Sequence, residues 1–498
     1  MNLQQSTTDT AQRSRRGSFH QPRALYVVSA FELAERFSYF GMLAILVYYV
    51  YFSAGEGGLG LSQGLATALV GGYTGGIYLF TVVGGWVADR VLGAARTLVV
   101  GAFIVLVGHV TLAFLPGLSG LLIGMLLVAA GSGCTKATTA SVVGTLYQAG
   151  SSQRIIGFTL FYLSLNLGAL LGGLSVAWIQ QSWGFHAGFA AAAAGMVVGL
   201  VIYLPGRRTL PAEAIRPPAP APAPVVARAV ALALGIAVVL CVAFATGAIR
   251  LEDTSTVVAV LGALIATTYF VVMRRATAAS PEEFRTVVRY IPILVASTVL
   301  VALWMQLYIA VAVHADARID RHFLGMEIPP SAVAASGAAF AILLTPLVNA
   351  VWTRLGSRQP GTAAKYAIAY VILGACYLAL GTTASIEELQ LLFIAMLGIV
   401  GGFFLADLVA SPAGLAYATA TAPHQFRTQL VSVHSMSYAV GAALAGVTAQ
   451  WYSPDGNAGG YFLGLAVVSL IGAAVMFVLR RIVVDGRALT AATQAITE

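Results

Sequence analysis

The segment Ala24 to Tyr51 reads ALYVVSAFELAERFSYFGMLAILVYYVY, an apolar run of helix length with Glu32, Glu35 and Arg36 set inside it. A helix rising ~1.5 Å per residue needs about 20 such residues to cross a ~30 Å hydrocarbon core. At ~100° per residue the three charges fall on one face, at i,i+3 and i,i+4 spacings that permit ion pairing. A charge at bilayer depth costs at least ~2.5 kcal/mol, so such a face must look into protein, and charges that persist there bind, conduct or couple something.

The rest of the chain makes the same demand for a lipid solvent. Its 498 residues are 59% hydrophobic and only 9% charged, with a mean hydropathy of +0.86, whereas a soluble domain carries roughly 25% charge. Apolar runs of about 20 residues recur along it; a barrel would show alternating segments of about 10. The first run begins after about 23 polar residues, is too long for a signal-peptide core and carries internal charge, so it is expected to remain as a transmembrane helix. Fourteen spanning segments are predicted, and an even number puts both termini on one side. Arg13, Arg15, Arg16 and Arg23 precede the first helix. Alternate connections carry Arg90/Arg96, Arg154, Arg207/Arg208/Arg216, Arg274/Arg275/Arg285/Arg289 and Arg354/Arg358, and Arg480/Arg481/Arg487 follow the last helix. The opposite connections hold little beyond Arg250, Arg318 and Arg321. The positive-inside rule then makes the termini cytoplasmic in a cell (inner) membrane protein. The net charge of +8 is topological, suited to anionic lipid, and no basic groove with interleaved aromatics suggests nucleic acid.

The Pro/Ala run from Pro217 to Pro224 cannot pack a core and favours extended polyproline structure. It divides the chain into a tail (1–23), a six-helix bundle (24–205), a cytoplasmic linker (206–227), an inserted helix pair (228–273), a cytoplasmic connection (274–289), a second six-helix bundle (290–480) and a tail (481–498). Two related bundles with a site between them near mid-membrane form a common transporter plan. Pro292, Pro346 and Pro412 fall within predicted helices, as kinks or as breaks lining a cavity. Tyr26, Tyr48, Tyr49 and Tyr51 read as interfacial belt residues. Cys134, Cys241 and Cys376 lack paired spacing, so neither disulfide nor metal is supported and no cofactor is implied. Beyond the first helix, Lys136 and Asp407 are the ionised residues well inside apolar segments. A desolvated ammonium can change protonation where a guanidinium cannot, so Lys136 is a candidate for switching. No H-E-x-x-H, G-x-S-x-G or P-loop supports an enzyme or an ATP-driven pump.

These residues resemble a known family. Glu32-Leu-Ala-Glu35-Arg36-Phe37-Ser38-Tyr39-Phe40-Gly41-Met42 is similar to the E-x-x-E-R-F-x-Y-Y-G-M signature of the proton-dependent oligopeptide transporters, a branch of the major facilitator superfamily. Gly84-Gly85-Trp86-Val87-Ala88-Asp89-Arg90-Val91-Leu92-Gly93 resembles that family's loop between helices two and three. Gly131-Ser-Gly133-Cys-Thr-Lys136 resembles its fourth-helix motif, Phe161-Tyr162-Leu-Ser-Leu-Asn166-Leu-Gly168 its fifth, and Asp407-Leu-Val-Ala-Ser411-Pro412-Ala-Gly414 its E-L-L-x-S-P-x-G. The resemblance implies an all-α major facilitator fold of two six-helix bundles plus two central helices. It also implies alternating access with protons as the coupled ion and a short peptide as cargo. Proton coupling would fall to Glu32, Glu35, Arg36, Lys136 and Asp407. Substrate contacts would come from Tyr39, Phe40, Tyr78, Lys136, Asn166, Gln306, Asp407, Ser411 and His434.

The chain also departs from the pattern. Leu43 and Met305 stand where the family has an arginine and a glutamate that pair across the bundles, Phe40 replaces a tyrosine, Gly337 an asparagine, and His434-Ser435 a Trp-Phe pair. Losing both members of the pair is self-consistent, because losing one would strand a buried charge at ~3 to 5 kcal/mol. His434 is a candidate titrating group, since an unperturbed histidine changes charge near working pH. Two readings stay open: proton-coupled symport of di- or tripeptides or peptide-like molecules, and a transporter of the same fold that takes a non-peptide cargo or exports a peptide-like product.

Overall fold

A computed structural model of the chain describes residues 21–148, 151–276, 287–386, 391–422, 427–481 and 483. The tail arginines Arg13, Arg15, Arg16 and Arg487, and Arg285 with most of the 274–289 connection, lie outside the described residues. Among the described residues, fourteen helices are long and apolar enough to span a membrane. They are α1 (Arg23–Tyr51), α2 (Gln63–Leu92), α3 (Ala94–Phe114), α4 (Gly117–Thr145), α5 (Gln153–Trp183), α6 (Phe185–Thr209), α7 (Ala223–Ala245) and α8 (Leu251–Arg275). Then follow α9 (Ile291–Arg318), α10 (Pro330–Arg358), α11 (Thr362–Ala384), α12 (Phe393–Thr421), α13 (Leu430–Ala449) and α14 (Ala458–Leu479).

Local chemistry sets the ends. Ser62 caps α2 by accepting from the Leu65 amide at 3.2 Å, and Ser151 caps α5 from the Arg154 amide at 3.3 Å, which satisfies amides no helical carbonyl can reach. Gly93, at φ 85° and ψ 155°, takes a positive-φ geometry open mainly to glycine and so turns α2 into α3. Pro292 lies in the first turn of α9 rather than inside it, where its missing N–H costs nothing. Pro346 and Pro412 do sit within helices. The only strands among the described residues are two-residue pairings, Ile319–Asp320 with Leu391–Leu392 and His322–Phe323 with Met326–Glu327.

Helices α1–α6 pack on one another, as do α9–α14, and the two groups meet along α2–α13, α5–α10 and α1 against α9 and α10. These seams use the halves of the helices remote from the termini. At the α2–α13 seam backbones nearly touch: a Cβ on Gly71 would lie 2.5 Å from the Gly446 Cα, and one on Gly75 would lie 2.6 Å from the Ala439 carbonyl oxygen. At the α5–α10 seam, a Cβ on Gly173 would lie 2.7 Å from that of Ala335. Small residues are the device by which membrane helices approach closely, because lipid offers no hydrophobic drive between them.

The inserted pair behaves asymmetrically. No residue of α7 is buried, whereas α8 lies across α2 and α13 together. Ser255 is fully buried there, donating to the Ala68 carbonyl at 2.6 Å. The linker, expected from its composition to favour extended polyproline structure, is held against the first bundle as a strap. The Ala219 and Ala221 amides donate to the Asp89 and Arg90 carbonyls at 3.1 and 2.9 Å, and Ala214 is fully buried. The tyrosine belt also needs correction. Tyr26 is exposed, but Tyr48 and Tyr49 are buried, and Tyr48 donates across the bundles to the Ala312 carbonyl at 2.9 Å. Tyr51 donates to Asp316 Oδ2 at 2.8 Å.

Candidate functional site between the bundles

The charged face of α1 turns inward, with Glu32 and Glu35 each 1% exposed and Arg36 8%. Arg36 Nε donates to Glu32 Oε1 at 2.8 Å and lies 3.4 Å from Glu35 Oε2. Glu35 also accepts from the Thr135 hydroxyl of α4 at 3.3 Å. Glu32 Oε2 is buried with no hydrogen-bond partner. The cluster is held against α5 by a close approach in which a Cβ on Gly168 would lie 2.9 Å from the Arg36 Cβ.

One turn along, Lys136 reaches over the ring of Tyr39 at 4.5 Å and faces that of Tyr78 at 5.7 Å. Among the described residues no carboxylate oxygen lies within 4.0 Å of its ammonium, which is held by aromatic faces, an attraction of ~0.5 to 2 kcal/mol. Asp407 on α12 is therefore not its partner in this conformation; Asp407 accepts instead from the Ser411 hydroxyl one turn away. Rings close the space between these two groups. Tyr78 stacks on Tyr438 of α13 at 5.2 Å, and Phe40 meets Tyr308 of α9 at 6.2 Å. Trp304 packs against Tyr308 and Phe404, and its indole N–H is buried without an acceptor.

The structure thus brings together Glu32, Glu35, Arg36, Tyr39, Phe40, Tyr78 and Lys136 from the first bundle, facing Asp407 and Ser411 from the second. Three expected site residues are engaged elsewhere. Gln306 donates to the Ala445 carbonyl at 3.2 Å and the Thr448 hydroxyl at 2.9 Å, fixing α9 to α13. Asn166 donates to the Tyr162 carbonyl of its own helix at 2.9 Å. His434 is 4% exposed, behind Tyr438, with Nδ1 2.7 Å from the Tyr290 hydroxyl. Tyr308, Trp304 and Tyr438 were missed; the one available signal was the four-residue spacing from His434 to Tyr438, which places both on one helix face. The His434 geometry yields a prediction. His434→Phe leaves the Tyr290 hydroxyl buried and unpaired, so stability should fall by ~1 to 3 kcal/mol, read by thermal unfolding in detergent, while the pH profile of uptake keeps its shape.

Leu43 and Met305, 1% and 4% exposed, are buried apolar residues on the two bundles. The sequence profile of the POT family matches residues 95–460, some three-quarters of the chain. The chain belongs to the POT family. It is 33% identical over 434 residues to a di-/tripeptide transporter of Lactococcus lactis subsp. cremoris, covering 83% of this chain and 86% of that one. An uncharacterized transporter of Bacillus subtilis (strain 168), YclF, is 31% identical over 478 residues, covering 94% and 95%. The fold matches a crystal structure of a peptide transporter POT in complex with sulfate, with TM-score 0.89, 32% identity and coverage of 94% and 96%. It also matches a POT family transporter in complex with 5-aminolevulinic acid, with TM-score 0.88, 28% identity and coverage of 94% and 98%. This POT-family chain accordingly has the major facilitator fold, and its charged site lies where the two bundles meet.

Proposed function

We propose that this chain is a secondary active transporter that moves di- and tripeptides, or peptide-like small molecules, in symport with protons by alternating access across the cell (inner) membrane. The observation that carries the reading is that Lys136 on the first bundle and Asp407 on the second each lack an ion pair among the described residues, where the Tyr78–Tyr438 stack joins the bundles, beside a buried Glu32–Arg36–Glu35 network. A peptide zwitterion presents an ammonium and a carboxylate at a separation that varies with length. A site for it needs fixed charge of both signs with adaptable polar and aromatic groups between. Asp407 holds the amino end, Lys136 with Arg36 draws the carboxylate, and Tyr39, Phe40, Tyr78 and Ser411 line the span.

Orientation follows from charge. Arg250, Arg318 and Arg321, at the end opposite the termini, each lie within 4.0 Å of a carboxylate. Arg90, Arg96, Arg154, Arg207 and Arg208 have no ion pair among the described residues, which suits an end facing anionic lipid and the cytoplasm. Tyr48, Tyr51, Gly71 and Gly446 close this conformation on the side remote from the termini. Coupling runs through Arg36. The unpartnered Glu32 Oε2 accepts a proton, its claim on Arg36 weakens, and the guanidinium is released toward the substrate carboxylate. One charge crossing ~100 mV supplies ~2.3 kcal/mol, enough for very roughly fiftyfold accumulation.

Proteoliposomes test this. Dialanine should enter under an inward proton gradient, and Lys136→Gln and Asp407→Asn should each cut uptake by about 10- to 100-fold, the factor corresponding to a charge-assisted contact of ~1.5 to 3 kcal/mol. Failure of dialanine to enter while another solute does would end the peptide reading. The apolar Leu43 and Met305 and the aromatic wall Tyr308–Trp304 favour a second reading, in which the same site takes a non-peptide amino acid derivative. A panel of cargoes screened for thermal stabilisation separates the two, because a ligand that binds only the folded state raises its melting temperature.

A further inference from the structure

Away from the central site, α11 and α14 part to form a cleft of about 650 Å³ on the outer surface of the second bundle. Buried Ala367 and Ala473 lie at its base, with Ala364, Ala474, Val371 and Phe477 lining its sides. Base and sides are almost wholly apolar. From Pro360 to Ile372 the cleft runs ~18 Å along α11 at ~1.5 Å per residue, close to half of a ~30 Å hydrocarbon core. That is the depth of one leaflet, and the mouth opens at the end of the molecule that carries the termini.

The mouth is basic. Arg480 lines it, and its guanidinium is stacked on the Phe477 ring at 3.8 Å, which holds the charge at the level where headgroups lie rather than letting it extend into water. Arg481 follows it on the chain, and Arg354 and Arg358 approach from the α10–α11 connection; all are exposed. No Asp or Glu occurs between residues 328 and 386 or between 456 and 484, so nothing on these segments neutralises the rim. An apolar slot one leaflet deep with an acid-free arginine rim matches a single amphiphile: apolar chain below, anion above.

We propose that this cleft is a binding site for an anionic phospholipid of the termini-side leaflet, with one acyl chain in the slot between α11 and α14 and the phosphate on Arg480. The test is native mass spectrometry of the purified, delipidated full-length chain titrated with phosphatidylglycerol or with phosphatidylcholine of the same acyl chains. Phosphatidylglycerol should form a discrete adduct at concentrations about tenfold below those needed for phosphatidylcholine. Ala474→Phe, which fills the slot from an exposed position and so spares the core, should remove that adduct. Arg480→Gln should abolish the preference between the two lipids while leaving binding of both. Equal adducts of the two lipids on the unaltered chain would mean annular lipid only and overturn the proposal. So would a phosphatidylglycerol adduct that survives Ala474→Phe, or a dimer that this substitution disrupts, which would make the cleft a contact between copies.

Discussion

Gly446→Leu is expected to abolish gradient-driven uptake while leaving each bundle folded. At Gly446 an added Cβ would strike the Ser255 hydroxyl and lie 2.8 Å from the Gly71 Cα and 2.9 Å from the Thr67 carbonyl oxygen. Two of those atoms are backbone, so neither can rotate away, and the remaining leucine atoms have only the α2–α13 seam to occupy. The cheapest relief is to part the bundles at the end remote from the termini, since the interior of each bundle is untouched. A transporter held open there cannot complete its cycle, and uptake should drop at least ~50-fold with unchanged helical content. The displacement itself can be read directly. Thr74→Cys, fully buried on α2, should become reactive toward an impermeant maleimide in the Gly446→Leu background once Cys134, Cys241 and Cys376 are replaced by serine. Wild-type uptake in Gly446→Leu would show that this seam need not close.

The contrast between what sequence reveals and what it conceals is physical. The spans of α1 to α14 were legible because lipid imposes a length on every helix and excludes charge from it, so Glu32, Glu35, Arg36, Lys136 and Asp407 stand out against the apolar background. Tyr48 and Tyr51 were misread because a tyrosine at a helix end satisfies two demands equally well. Its hydroxyl can meet headgroups or, as here, a carbonyl and a carboxylate 264 and 265 residues away. The linker strap was invisible because it is made by backbone amides of alanines, which leave no side-chain signature. The family resemblance puts His434 and Gln306 in the site, but their partners lie 144 and 139 residues distant. Periodicity places a residue on a face, and only packing says what that face meets.

With Leu43 and Met305 apolar and buried, the electrostatics of the site rest on few groups. Cross-bundle hydrogen bonds at the far end are made by hydroxyls, Tyr48 to a carbonyl and Tyr51 to the Asp316 carboxylate, the second being charge-assisted. In the first bundle the ion pairing is concentrated in the α1 network, two carboxylates around one guanidinium, with Lys136 on an aromatic face. In this arrangement Arg36 is the single counterion that both carboxylates share.

Arg36→Met should for that reason be the most damaging substitution in the first bundle. It keeps the length and packing of the stem while removing the partner of two carboxylates that are each 1% exposed, and breaking a buried ion pair costs ~3 to 5 kcal/mol. Thermal unfolding in detergent should show a loss of that order, and uptake should vanish. The triple substitution Glu32→Gln, Glu35→Gln, Arg36→Met separates structure from coupling. With no charge left on this face of α1, a neutral set of similar volume should recover most of the stability, since such replacements are often nearly neutral. Gradient-driven accumulation should not return with it, because no group on α1 remains to exchange a proton for a hold on the substrate. If the triple variant accumulates dialanine as the unaltered chain does, the network serves helix packing alone. If Arg36→Met unfolds at the wild-type temperature, the carboxylates do not depend on Arg36 at all.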